Sequence, residues 1–148
     1  MKNFFFIMLL LGAITTITFS SCDQEDGTVI NLNETPGFVQ AYVDFHFPNN
    51  AIVQTVKEIE QGTVTFEVAL QGNIQLEFNE AGEIIEIDAT SQLPDSVLQP
   101  AILTYVQDNY PDNVVTDWEL VNNEQQIEFN NSVELVFNLN GDFLRVDN

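Results

Sequence analysis

Carboxylates are the main chemistry-bearing side chains of this sequence, which has 23 Asp and Glu residues but a single histidine, His46, and a single cysteine, Cys22. A Ser-His-Asp or Cys-His arrangement would have to use His46, and no nucleophile motif accompanies it. A zinc site needs several His or Cys ligands. Paired carboxylates can act as general acid and base, but no spacing singles out a pair. We therefore expect no catalytic residues, no cofactor and no metal site, with a carboxylate-dependent hydrolase and a divalent-cation binder as alternatives.

The charge balance restricts the classes of partner. Lys57 and Arg145 are the only basic side chains beyond Lys2. Nucleic-acid binding needs a basic surface that releases counterions from the phosphate backbone, so the sequence excludes this class. An acidic surface keeps a protein dissolved, and it also suits a cationic partner.

The first 22 residues have the anatomy of a bacterial lipoprotein leader. Lys2 precedes an apolar run at 4–13, which is too short for a comfortable membrane span and favours a signal peptide at 1–21. Phe19-Ser20-Ser21-Cys22 resembles a lipobox, in which the cysteine receives diacylglycerol. We predict a lipid anchor at Cys22, a flexible acidic tether at 22–33, and attachment to a membrane of the cell envelope, expected to be the outer membrane. The alternative is ordinary cleavage near Ser21, which leaves a free thiol.

The rest of the chain, 34–148, reads as two copies of one unit. The segment Phe-Pro-Asn-Asn at 47–50 recurs as Tyr-Pro-Asp-Asn at 110–113, an offset of 63 residues. Further on, Leu-Glu-Phe-Asn at 76–79 matches Leu-Val-Phe-Asn at 135–138, an offset of 59 residues. The change in offset predicts a four-residue deletion near the first hairpin of the second copy. We place repeat one at 34–89 and repeat two at 93–148.

Each copy has the pattern of a helix followed by about four strands. Apolar residues at 38, 39, 42 and 43 fall on one helical face, and a proline follows each predicted helix. Strict alternation of apolar and polar residues at 64–70 and 74–78 indicates antiparallel hairpins with one wet face. The sequence therefore predicts an α+β fold: a duplicated unit of one helix and four antiparallel strands, with the helices packed on one face of the sheet.

A few apolar side chains break this alternation. If Ile85 and Leu144 are buried, their neighbours Ile84 and Phe143 face outward. We predict a partner-binding surface on the open sheet face, and its members are Ile84, Trp118, Val136, Phe143 and Arg145. The alternative is that the tether or the other repeat covers these residues without a function.

The repeated pattern resembles a known family. Tyr-Val-x-x-x-aromatic-Pro, hydrophobic hairpins, Phe-Asn-x-x-Gly and an apolar-Asp ending are similar to the PepSY-like lipoproteins of Gram-negative bacteria, which are related in fold to β-lactamase-inhibitor protein. The resemblance covers about 34–148 in two tandem copies and implies a helix packed on an antiparallel sheet. Related domains inhibit or chaperone extracytoplasmic enzymes, especially peptidases, and no catalytic residue set carries over.

We therefore expect a non-enzymatic cell-envelope lipoprotein that binds an extracytoplasmic protein or peptide. An inhibitor or folding helper of a secreted peptidase is the alternative from the same resemblance.

Overall fold

The computed structural model describes residues 27–147, which form one antiparallel sheet of nine strands lying side by side in chain order. Two helices and two short 3₁₀ turns complete this part of the chain. The strands are β1 (Thr28–Ile30), β2 (Ile52–Glu60), β3 (Thr63–Leu70), β4 (Ile74–Asn79), β5 (Ile84–Ala89), β6 (Val115–Val121), β7 (Glu124–Phe129), β8 (Glu134–Asn138) and β9 (Phe143–Asp147). The α+β class is confirmed, and the strands of both repeats form one continuous sheet.

The predicted signal peptide and the lipidation site Cys22 lie outside the described residues. Within 27–147, neither helix is long and apolar enough to cross a membrane.

The two helices occupy equivalent places in the repeats. Helix α1 spans Gly37–His46 and α2 spans Pro100–Asn109. Pro100 starts α2 well because its ring fixes a helical φ and the first turn does not need its missing N–H. Each helix ends where a backbone N–H returns to the carbonyl four residues earlier, and the proline that follows prevents continuation. Helix length and position are therefore set by residues that the sequence shows directly.

The core lies between these helices and one face of the sheet. Phe78, Phe129 and Phe137 are completely buried there. Tyr42 of α1 stands edge-on to Phe78, with ring centroids 5.3 Å apart, and Tyr105 of α2 stands edge-on to Phe137 at 5.5 Å. Burial of one such phenylalanine contributes about 1.5–3 kcal/mol. The same aromatic contact thus fastens each helix to its own repeat.

The first hairpin of each repeat explains the change in offset. Strands β2 and β3 have 9 and 8 residues, whereas β6 and β7 have 7 and 6. Both hairpins turn on two residues with positive φ, Gln61-Gly62 and Asn122-Asn123, which is the type I′ arrangement. The four-residue deletion therefore shortens the two strands and leaves the turn unchanged.

Two β-bulges overturn part of the predicted alternation. The register shifts between Glu77 and Phe78, so that Phe78 lies opposite Ile84. The equivalent shift in repeat two puts Phe137 opposite Phe143. Because a bulge adds one residue to one strand, the side chains beyond it exchange faces. Ile84 and Phe143 consequently pack against the core, while Leu144 is 45% exposed.

Candidate binding surface

The sheet face opposite the helices, here called the open face, carries two rows of carboxylates. Along β3 to β8, acidic positions alternate with buried core residues such as Leu76, Ile87 and Leu135, and therefore point away from the helices. Strand register aligns these positions across the sheet. The first acidic row is Glu67, Glu77, Glu86 and Glu119. The second acidic row is Asp88, Asp117, Glu128, Glu134 and Asp147.

Direct opposition of like charges distinguishes this arrangement from a scattered acidic surface. Residues directly opposite on antiparallel strands have Cβ atoms about 4.5–5.5 Å apart, and like charges at that separation are destabilising. The repeats meet where β5 pairs with β6, through Glu86 and Glu119, Ile87 and Trp118, and Asp88 and Asp117. Two of these three register pairs therefore set carboxylate against carboxylate.

Asp117 has a strongly raised pKa on this face. The pKa is raised from its ordinary value of 3.8 to about 6, chiefly by partial burial and then by the charges of Asp88 and Glu128, against a hydrogen bond from Thr116 that lowers it. Because the raised value lies near neutral pH, a fraction of Asp117 is protonated under mildly acidic conditions.

Two other members of the rows respond in the same direction. Partial burial, with the charges of Glu58 and Glu77, raises the pKa of Glu67. Partial burial, followed by the charges of Asp147, Glu128 and Glu119, raises the pKa of Glu134, while Arg145 lowers it. The pKa is therefore raised at Glu67 of the first row as well as at Asp117 and Glu134 of the second row.

Two shallow depressions follow the acidic rows. One has a volume of about 270 Å³ and lies over β3 to β5, lined by Glu67, Glu77, Glu86 and Asp88. The other has a volume of about 320 Å³ and lies over β5 to β8. Both include Glu86 and Asp88, so the two depressions meet at the junction between the repeats. Carboxylates make up most of both linings, which suits an extended cationic ligand better than a small apolar one.

Arg145 is the basic residue of the open face. Its guanidinium donates two hydrogen bonds to the Glu124 carboxylate, with N–O distances of 3.1 and 2.8 Å. It also forms an ion pair with Asp147 at 3.4 Å. The hydrogen bonds from Arg145 lower the pKa of Glu124. Lys57 lies opposite Phe66, on the helix side of the sheet edge. Arg145 therefore offsets negative charge at the β9 end of the rows.

The predicted partner-binding surface does not form as expected. Ile84 packs on the core, and Phe143 stacks on Tyr105 with centroids 4.6 Å apart. Trp118 is only 8% exposed and belongs to the same core, where its indole N–H donates to Gln125 Oε1 at 3.3 Å. The prediction that these three residues share the open face is wrong, because the bulges reverse Ile84 and Phe143 and the register of β6 directs Trp118 toward the helices.

Val136 and Arg145 alone of the predicted set lie together on the open face, directly opposite each other in β8 and β9. Val136 is nevertheless completely buried, so Arg145 is the accessible member. Partner binding by any of the five remains a prediction. The sequence indicates a solvated acidic surface but does not show that the acids are aligned across strands. This alignment depends on offsets between strands that only the assembled sheet defines.

The surroundings of His46 and the spacing of possible metal ligands bear on the catalytic and metal-binding alternatives. His46 Nδ1 lies 2.9 Å from Ser96 Oγ at the end of α1, and its ring lies 4.3 Å from the Tyr42 ring, tilted by 37°. Burial lowers the pKa of His46, so the neutral imidazole predominates at pH 7. Within 27–147, no group of three or more His, Cys, Asp or Glu side chains is arranged to hold a metal ion.

Comparison with known proteins gives consistent matches to one group. The sequence profile of the β-lactamase-inhibitor-like, PepSY-like family matches residues 23–86 and again 64–145. Among curated proteins no match is found.

Similar solved structures come from two Bacteroides species. A periplasmic protein of unknown function from Bacteroides vulgatus is 25% identical, with a TM-score of 0.77, and the match covers 83% of this chain and 100% of that one. A second periplasmic protein from the same organism is 26% identical, with a TM-score of 0.76 and coverage of 84% and 98%. A periplasmic protein from Bacteroides thetaiotaomicron, whose name proposes calcium regulation, is 25% identical, with a TM-score of 0.77 and coverage of 82% and 97%.

Proposed function

The chain belongs to the β-lactamase-inhibitor-like, PepSY-like family, as two tandem copies, and from that membership we propose that it is a non-enzymatic binding module of the cell envelope. In this proposal a lipid anchor at Cys22 holds the module at a membrane. Its open face receives a segment rich in Lys or Arg from an extracytoplasmic protein. The periplasmic naming of the similar structures supports the compartment.

The observation that carries the proposal is the cross-strand alignment of the two acidic rows. Neighbouring strands lie about 4.7–4.9 Å apart, so a cation between two strands meets a carboxylate on each side. Such a cation relieves the repulsion between opposed acids such as Asp88 and Asp117. Because the repulsion exists before binding, its relief favours the complex without new apolar contacts. The two depressions provide a continuous path across the repeat junction.

Calorimetry of the mature chain with octalysine tests this proposal. We expect saturable binding that weakens as salt rises, since exposed charges are screened over about 10 Å at 0.1 M ionic strength. The double variant Asp88→Lys, Glu128→Lys reverses charge in the second acidic row and is expected to weaken binding at least tenfold.

The matched control is the double variant Asp108→Lys, Asp112→Lys, which changes the net charge equally at exposed positions of α2 and of the turn that follows it. Binding by this control is expected to stay within about twofold of the natural chain, apart from the general effect of net charge. Equal weakening in both double variants would show that octalysine responds to net charge alone and would remove the open face as the site.

Calcium binding is a second candidate because of the name of the Bacteroides thetaiotaomicron neighbour. Carboxylate oxygens are the ligands that Ca²⁺ prefers. Since no group of three metal-binding side chains is found in the described residues, calcium would be held by opposed pairs and water, with millimolar affinity. A calcium titration that produces heat, and that loses it in Asp88→Lys, Glu128→Lys, would favour this candidate. A flat titration at 5 mM calcium removes it.

A further inference from the structure

A groove beside each helix is a second repeated feature, and it is distinct from the open face. The groove of repeat one lies between the end of α1 and the start of β2 and has a volume of about 410 Å³. The groove of repeat two lies between the end of α2 and the start of β6, with a volume of about 240 Å³. Equivalent residues line both, because Val43, Phe47 and Ile52 correspond to Val106, Tyr110 and Val115 at the 63-residue offset.

The chain itself fills much of the groove in repeat two. The linker between β5 and α2 crosses it, and Leu93 and Leu98 are 3% and 8% exposed. The N–H of Leu93 donates to the carbonyl of Val115 at 2.9 Å, which fixes the linker to the start of β6. An extended segment anchored by aliphatic side chains is therefore the occupant that this groove accepts.

Repeat one lacks that occupant. Thr55 of β2 corresponds to Trp118 of β6 at the 63-residue offset. Ile30 of β1 pairs with Thr55, and Ile87 of β5 pairs with Trp118, so β1 lies beside β2 as β5 lies beside β6. The 3₁₀ turns then fall at equivalent positions, Leu32–Glu34 and Asp95–Val97. The connection from Ile30 to its turn is therefore six residues shorter than the connection from Ile87, and the missing stretch includes the counterpart of Leu93.

Leu32 is the exposed apolar residue of the groove in repeat one. It lines the groove and is 55% exposed, whereas Val43 and Phe47 in the same lining are 3% and 2% exposed. Thr35 replaces the buried Leu98 at the 63-residue offset. Within the described residues, β1 runs from the position opposite Lys57 to the position opposite Thr55 and does not reach the start of β2 at Ile52.

We propose that the groove beside α1 is a docking site for an extended segment of a partner protein, which inserts an aliphatic side chain where Leu93 lies in repeat two and carries basic residues beside it. The aliphatic anchor follows from the equivalent groove, in which the molecule displays its own bound segment. The basic flank follows from charge complementarity, since Asp44 lies on the groove wall with polar amides and no basic side chain.

The probe is a synthetic peptide with the sequence of residues 89–98 carrying Asp95→Lys, titrated into the mature ¹⁵N-labelled chain. We expect saturable amide shift changes at the groove residues Val43, Asp44, Asn50 and Ala51. A single aliphatic anchor and few polar contacts imply weak binding, with a Kd on the order of 0.1–1 mM.

Matched variants connect the shifts to the groove. Leu32→Asp is expected to weaken binding at least tenfold, whereas Leu139→Asp, at a leucine that is 49% exposed elsewhere, leaves it unchanged. Because both leucines are exposed, neither change should disturb folding, and unchanged melting temperatures verify this. A peptide with Leu93→Asp should not bind. Binding that survives Leu32→Asp, shifts confined to residues outside the groove, or no binding at 2 mM peptide would overturn the proposal.

Discussion

Replacement of Asp117 by asparagine should stabilise the protein at neutral pH and change how its stability depends on pH. The pKa of Asp117 is raised from 3.8 to about 6, mainly by burial and then by Asp88 and Glu128. One pKa unit corresponds to about 1.4 kcal/mol, so the two-unit shift sets a ceiling of about 3 kcal/mol. Because Asp117 is only half-buried, solvent screening reduces the expected gain to roughly 1–1.5 kcal/mol.

The direction in which stability changes with pH follows from proton binding by Asp117. The folded state holds the Asp117 proton more tightly than the unfolded chain does, so this contribution to stability is complete below pH 3.8 and is lost as the pH rises through about 6. Asparagine keeps the shape and the acceptor oxygen but carries no charge. The natural protein should therefore melt at a higher temperature at pH 5 than at pH 7.5, apart from the opposite effect of His46, whose pKa is lowered.

Circular-dichroism melting of Asp117→Asn and the natural chain between pH 4 and pH 8 measures this effect. We expect the variant to melt about 3–5 °C higher at pH 7.5 and to match the natural chain near pH 4. Asp108→Asn, on the exposed surface of α2, is the control and should follow the natural chain throughout. Parallel curves of melting temperature against pH for the natural chain and Asp117→Asn would refute the reasoning that the charged Asp117 carboxylate destabilises the fold.

Two further predictions concern packing. Gly82→Ala should lower the free energy of unfolding, measured in urea, by about 1–3 kcal/mol, because Gly82 has a φ of +84° and an added Cβ would lie 2.9 Å from the Phe38 ring. Gly37→Ala should leave the free energy of unfolding unchanged, because an added Cβ there has nothing within 4 Å. Equal effects of these two changes would contradict the turn geometry. Phe143→Ala should cost about 2–4 kcal/mol because the ring packs on the core, and Leu144→Ala should cost under 1 kcal/mol because Leu144 is exposed. A larger loss of stability in Leu144→Ala than in Phe143→Ala would show that Leu144 faces the core, as simple alternation predicts, and would contradict the bulge.

Much of the fold could be predicted from local patterns. The alternation at 64–70 and 74–78 sets the strands β3 and β4, and Pro48 and Pro111 mark the ends of both helices. The two repeat offsets even locate the deletion in the first hairpin. These features depend on residues close together in the chain, where periodicity and turn chemistry are strong signals.

The bulges and the acidic rows depend on longer-range relations. The doublets Ile84-Ile85 and Phe143-Leu144 each offer two apolar residues for one inward position, and only pairing with the neighbouring strand selects between them. The acidic rows require six neighbouring register relations, from β3 to β9, to be correct together, because a slip of one residue moves a carboxylate to the other face. Sequence patterns place each acid on a wet face but do not align it with the next strand.

The most direct test of the acidic rows as a binding face is an NMR titration of the mature ¹⁵N-labelled chain with octalysine. We predict saturable shift changes concentrated at Asp88, Asp117 and Glu128, with small changes at Asp108 of α2 and at Asp112 in the turn that follows it. Shift changes spread evenly over all acidic residues, without saturation, would contradict the account.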